Sequence, residues 1–368
     1  RGRQGWYRVA IKDPSFTQNN GLTSTHVFRG TPLEVWKQCE EYLSAQATPT
    51  SNDKLLYFSH IGQDLEREEY DVVLLSNPWL VDFEARLPSR RIVGIAFDTT
   101  PNKHCFHQFG RPFELAARQQ KGLSYFAKHC DCVLANGATT AEDLSRFFGL
   151  RSDQVVGLPR LVPHTYFDIV DANSRRDSTV ALASPFDLKK GLKDMPDILN
   201  AASDRIGKLA IFGNVRCHPN DACEFFASLA INSIEWHLQP SVQRVQEIFQ
   251  EAKVLLCPSD RDDREDLGQP FLKSQFCGCP VIVRDKPPMN ELLVPGSQRI
   301  YGPHQDDADV LAKILEEPFD HRALQREAFR AFSPITAGRV IERSITGAAD
   351  STGQIPTPAP PFRLAAGG

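Results

Sequence analysis

Short apolar runs alternate along this chain with stretches in which apolar residues recur every third or fourth position. Val254-Leu-Leu-Cys257 and Pro280-Val-Ile-Val283 are runs of the first kind, too short for helices and too apolar for half-exposed strands. The pattern predicts strands at 7–11, 54–58, 70–75, 91–97, 132–135 and 154–158. A second series is predicted at 178–182, 208–212, 233–237, 253–257, 280–283 and 299–301. Helical spacing falls between many of them, at 33–43, 113–128, 141–148, 192–202 and 241–251, then 270–277, 288–293, 308–315 and 321–332. Strands that alternate with helices predict parallel sheets and an α/β class. The polar, turn-prone stretch 163–178 interrupts the alternation and marks a domain boundary. The expected units are 1–165, 166–335 and a C-terminal segment at 336–368.

Composition narrows this picture only a little. A chain of 368 residues is expected to form two domains, and it has ordinary apolar content for two cores. A net charge of −4 gives no basic footprint for nucleic acid. No apolar run approaches the roughly 18–20 residues that span a bilayer. No stretch reads as a signal peptide, and the expected location is the cytoplasm, with peripheral membrane contact left open. The chain starts Arg-Gly-Arg rather than at methionine, which leaves open an excised segment or an appended remnant. Residues 351–368 carry Pro-Thr-Pro-Ala-Pro-Pro and read as a flexible tail or a linker. Nine cysteines are scattered, and Cys130-Asp-Cys132 and Cys277-Gly-Cys279 are too tightly spaced for the usual zinc or redox motifs. Cys217-His218 could be a partial metal site, but the favoured expectation is reduced, buried thiols and no metal.

The densest chemistry lies between the strands at 253–257 and 280–283. There the chain reads Glu265-Asp-Leu-Gly-Gln-Pro-Phe-Leu-Lys273-Ser-Gln-Phe-Cys-Gly-Cys-Pro280. Pro270 suits a helix start and Cys277-Gly278 a helix end. Strand, glycine turn, short helix and strand make one parallel βαβ unit. Its helix start offers free amides and a positive dipole end, suited to a diphosphate. A carboxylate just before that start would meet phosphate with repulsion, so Glu265 is better placed to accept bonds from sugar hydroxyls.

This stretch resembles the signature of family 4 glycosyltransferases, retaining enzymes of the GT-B architecture. Their pattern is a glutamate, seven residues, a second glutamate, and a close of Cys-Gly-x-Pro-Val-Ile. Glu265 matches the first glutamate and Cys277–Ile282 the close, while Lys273 stands where the second glutamate belongs. The likeness extends through residues 126–144, 148–156 and 180–192, and more faintly to Asn20-Gly21. The resemblance implies two Rossmann-like domains around a cleft, a nucleotide-sugar donor, no metal and no other cofactor. It leaves the acceptor open among glycan, lipid, peptide and small molecule.

The resemblance also implies site residues. Lys190, before a glycine, would hold the donor diphosphate, and a cation there favours the transition state. An arginine usual to the family is replaced by Ser184 or Pro185. Glu265 would bind the donor sugar, with Leu267, Gly268 and Gln269 beside it and glycine allowing close backbone approach. Lys273 cannot accept bonds from ribose hydroxyls but could pair with phosphate; otherwise it faces water. His237, in Trp236-His237-Leu238-Gln239, would frame the base. Asp98 ends a strand at the cleft, with Phe97 where the family often has histidine, and His104 or His107 could substitute. Asn20, Gly21, Asp98 and His104 form the expected acceptor side, and Glu265, Lys190 and Asp98 the expected catalytic set. The alternatives are a partner subunit that no longer catalyses, or a GT-B enzyme such as a nucleotide-sugar epimerase. Nothing in the sequence supports a phosphorylase's pyridoxal phosphate site.

Overall fold

The computed structural model describes residues 9–12, 26–30, 70–76, 78, 81, 83–96, 112–158, 166, 178–183 and 195–213, then 219–238, 240–257, 268–285, 289–300, 304–332 and 334–347. Among them are two sheets. The first has the order β1 (Val9–Lys12), β3 (Tyr70–Ser76), β4 (Ser89–Ala96), β5 (Cys132–Ala135) and β6 (Val155–Gly157), all parallel. The second has the order β12 (Gln298–Ile300), β11 (Val281–Arg284), β10 (Val254–Cys257), β7 (Thr179–Ala183), β8 (Lys208–Phe212), β9 (Ile234–Leu238) and β2 (His26–Gly30). All its pairs are parallel except β2 with β9, which is antiparallel. The predicted strand at 54–58 and helix at 33–43 lie outside the described residues.

The central strands of the second sheet are apolar on both faces because both are covered. On one face Val180, Leu182, Leu209, Ile211, Val254, Leu256 and Ile282 meet α3 (Met195–Ala201), α4 (Pro219–Ser228) and α7 (His304–Glu316). Trp236 is fully buried there and stacks on Phe226 of α4, with ring centroids 5.3 Å apart. On the other face Ala181, Phe212, Leu255, Val281 and Val283 meet α5 (Val242–Glu251), α6 (Gly268–Phe276) and α8 (His321–Ala331).

The first sheet is covered on one face by α1 (Pro112–His129) and α2 (Ala138–Phe148), through Leu123, Phe126 and Leu144. The approach is close: a Cβ on Gly122 would lie 1.8 Å from the Pro78 carbonyl oxygen, and one on Gly94 2.8 Å from the Phe126 ring. The other face is covered by the last helix, α9 (Pro334–Thr346). Its Val340, Ile341 and Ile345 pack on Val72, Leu74, Val93 and Leu134, and Arg91 Nε donates to the Ser344 carbonyl. The beginning of the segment expected at 336–368 is therefore an ordered helix that belongs to the first sheet. The strand β2 makes the reverse exchange, since it lies within the expected first unit yet pairs with β9. No helix among the described residues is long and apolar enough to cross a membrane.

Candidate functional site

The strand order of the second sheet reverses at β7. From there the chain steps to β8 and β9 on one side, then returns to β10, β11 and β12 on the other. At such a switch point the connections leaving neighbouring strands diverge to opposite faces. A crevice opens beyond the carboxyl ends of the strands. The residues that follow β7 in the chain are 184–194, and those that follow β10 are 258–267. Ser184, Lys190, Glu265 and Leu267 fall in these two connections and lie outside the described residues; Asn20, Gly21, Asp98 and His104, elsewhere in the chain, lie outside them too. The topology thus joins Lys190 and Glu265, 75 positions apart in sequence, to strands that are hydrogen-bonded neighbours.

Helix α6 follows the second connection. It starts at Gly268, with Gln269 next, so Pro270 sits in the first turn, where its missing N–H costs nothing. It ends as the sequence predicts. Gly278 takes φ 73°, its N–H donates to Gln275 O at 2.9 Å, and Cys279 N–H donates to Ser274 O at 2.8 Å. This is the paired closing pattern that only a left-handed residue allows. Two side chains of α8 secure the same end: Gln325 Nε2 donates to Phe276 O at 2.8 Å, and His321 Nδ1 lies 2.7 Å from Gly278 O.

Lys273 lies in the second turn of α6, half-buried, and burial lowers its pKa from the ordinary lysine value. Its Nζ stands 5.8 Å from the centroid of the Tyr166 ring. It makes no hydrogen bond or ion pair with any described residue. Tyr166 itself is fully buried. A desolvated ammonium on an aromatic face gains from cation–π attraction, and this one has no anion among the described residues. Two residues on, Gln275 is fully buried with every polar valence used. Its Nε2 donates to Phe271 O at 3.1 Å and Leu292 O at 2.8 Å, and its Oε1 accepts from Val294 N and Ser297 Oγ, each at 2.9 Å. This ties α6 to a single 3₁₀ turn, Met289–Leu292, where the sequence predicts a helix at 288–293. The turn spans four residues, and Pro287 and Pro288 precede it in the sequence.

His237, one residue before the end of β9, is fully buried, with neither ring nitrogen in an aligned hydrogen bond to a described residue. Its Nε2 lies 3.4 Å from Glu235, which Lys208 Nζ also approaches at 3.4 Å and Arg244 at 3.9 Å. Burial, and then the Arg244 guanidinium, push the His237 pKa down to about 4 against the pull of Glu235. The folded pKa is below the unfolded value of 6.5, so the unfolded chain binds the extra proton as pH falls through that window. Stability is therefore whole above pH 6.5 and declines toward pH 4, by about 2 kcal/mol at pH 5 from 1.4 kcal/mol per unit. His237→Leu leaves no orphaned donor and should melt with a flatter pH dependence between 7 and 5. An equal decline in both proteins would remove His237 as the cause.

The start of α2 departs from the sequence expectation. Thr139 or Thr140 with Glu142 or Asp143 resembles a self-capping start. Instead the cap residue is Gly137, with φ 104° and no side-chain hydrogen bond. The free amides turn to the second half of the molecule: Ala138 N donates to Glu291 Oε2 and Thr139 N to Glu291 Oε1, each at 3.0 Å. Thr139 Oγ1 donates to the same Oε1. The sequence reading singled out neither Glu291 nor Gln275. Cys130, Cys132, Cys257, Cys277 and Cys279 are buried as expected, whereas Cys223 is exposed, and no disulfide joins the described cysteines. Burial raises the pKa of Cys130 and Cys132. Cys217 and His218 are outside the described residues.

Comparison with known proteins agrees with this geometry. Residues 199–331, which hold β8 to β12, match the family model described as glycosyl transferases group 1. No curated protein matches the chain in sequence. Among solved structures, S. aureus TarM, in complex with UDP and alpha-GlcNAc-glycerol, is similar with a TM-score of 0.60 and 12% identity. The match covers 79% of this chain, which spans only 59% of TarM's length. Anabaena HepE, in complex with UDP and glucose, gives a TM-score of 0.58 at 14% identity, covering 82% and 84% of the two chains. WaaG, a glycosyltransferase involved in lipopolysaccharide biosynthesis, gives 0.55 at 15% identity, covering 82% and 85%. The chain has the GT-B fold, with parallel α/β sheets in its two halves.

Proposed function

We propose that the protein moves a sugar from a nucleoside-diphosphate sugar to an acceptor, with retention of configuration, in the manner of family 4 glycosyltransferases. The observation that carries this reading is the switch point between β7 and β10. Helix α6 follows the connection that leaves β10, and it carries the half-buried Lys273, whose ammonium has no ion partner among the described residues. A helix start and a nearby cation suit a diphosphate. The group 1 family match covers α6 and the connection that carries Glu265.

In the mechanism we infer, Lys190 and Lys273 meet the charge that grows on the departing diphosphate. Glu265 holds the donor sugar and faces the positive charge that develops at its anomeric carbon. The departing phosphate oxygen takes the acceptor's proton, so the chain needs no separate general base and no metal. Asp98, His104, Asn20 and Gly21 are assigned to the acceptor side on the resemblance alone. The reaction is assigned to the cytoplasm, in keeping with the absence of disulfides among the described cysteines.

UDP is the first nucleotide to test, since it is bound in TarM and HepE. At a hundredfold excess over its dissociation constant, a bound nucleoside diphosphate should stabilise the fold by about 2.7 kcal/mol. A thermal-shift series with UDP, GDP, ADP and dTDP reads this out. No shift with any of them at millimolar concentration would sink the donor site. A second reading is favoured by two departures, Ser184 or Pro185 for arginine and Lys273 for glutamate. It is a subunit that binds nucleotide but no longer transfers sugar. Release of nucleotide from candidate donors separates the two.

A further inference from the structure

The carboxylate of Glu291 reaches out of the second half of the molecule and closes the open end of a helix in the first. Both its oxygens are engaged, one by the amide of Ala138, the other by the amide and hydroxyl of Thr139. The helix it serves has no cap of its own and no acid in its first turn. A negative charge at that place satisfies orphan amides and meets the positive end of the dipole. Glu291 is itself held from behind. The adjacent Leu292 carbonyl accepts from Gln275 of α6, and Val294 N–H donates to the same amide. From Lys273 the connection runs two residues along α6 to Gln275, then through the turn to Glu291, and so to the first sheet's α2.

We propose that Glu291 is a positioning residue that couples helix α6 at the switch-point crevice to the start of α2, so that a nucleotide bound beside α6 sets the closure of the two halves. The response to nucleotide and its kinetic consequence rest on the glycosyl-transfer reading, but the ligand-free clasp does not. The links between elements are hydrogen bonds with defined partners, those within elements are backbone, and each end sits on a helix. This is the physical kind of connection through which one site can bias another. Closure of this type completes a site and excludes water from it.

The test compares the full chain with E291A and with E291Q, which keeps the shape but turns an amide NH2 toward a backbone N–H. Small-angle scattering without ligand should show a radius of gyration larger by about 1–2 Å in both variants, as expected of hinge opening. In the wild type, UDP should slow amide exchange at 268–277 and at 138–141. In the variants it should slow exchange only at 268–277, with UDP affinity within about twofold and turnover lowered about tenfold. If E291A does not fold, E291Q carries the same measurements. An unchanged radius in a folded variant overturns the proposal, and so does protection at 138–141 that survives the loss of Glu291. If UDP protects neither segment in the wild type, the donor reading fails, and the ligand-free radius alone decides the clasp.

Discussion

Glu265→Ala is expected to lower turnover 100- to 1,000-fold and to leave the melting temperature nearly unchanged. The size follows from what one preorganised electrostatic group contributes when it acts on charge that develops only in the transition state. The sugar carries little positive charge while bound and much more as the bond to phosphate breaks, so a carboxylate beside it acts on kcat more than on donor affinity. The small effect on stability follows from the sequence Asp260-Arg-Asp-Asp-Arg-Glu-Asp266, a charged run with no apolar side chain to anchor a core. Steady-state kinetics with a donor that the thermal-shift series identifies would measure this. Turnover within a few-fold of wild type would move the chemistry to another residue.

Lys273→Glu is expected to weaken nucleoside-diphosphate binding about 100-fold. A charge-assisted bond to phosphate contributes about 1.5–3 kcal/mol, and a carboxylate in its place adds repulsion. The site amplifies both terms because the side chain is half-buried, with the Tyr166 ring on one side. The same ring that attracts an ammonium repels a carboxylate through its quadrupole. Two other outcomes are informative. Unchanged affinity would make Lys273 a bystander. Tighter binding would mean that the position faces ribose hydroxyls, which a carboxylate accepts and an ammonium cannot. Either result in a calorimetric titration refutes the phosphate contact.

The parts of the fold that the sequence makes legible are those in which one residue type has one structural meaning. The apolar run at 254–257 is a strand because both faces of the sheet are covered, and Gly278 ends α6 because only glycine takes its positive φ without strain. Two missed helices carried readable patterns. Ala222, Phe225, Phe226 and Leu229 fall at helical spacing in and just beyond α4, and Ala337, Val340, Ile341 and Ile345 do so in α9. The strand β2 had no such signal, because an edge strand of five residues with arginine and histidine in it shows little periodicity. Gln275 and Glu291 were illegible for another reason. Their roles are relations between distant positions, Glu291 to Thr139 across 152 residues, and no local spacing encodes them. Lys190 and Glu265 are expected only from their neighbours, the Lys-Gly turn and the Cys-Gly-x-Pro close, and both lie outside the described residues.

The placement of α9 has a consequence for how the chain is made. The first sheet's lower face stays bare until residues near the far end of the chain arrive, and the Arg91–Ser344 bond spans 253 residues. At roughly 5–20 residues per second of synthesis, Ser344 follows Arg91 by about 13–50 s. Through that interval Val72, Leu74, Val93 and Leu134 have no cover from α9. The half that is synthesised first is thus the half that finishes last. Halting translation before residue 334 should leave a nascent chain that binds chaperones and exposes this greasy surface to protease.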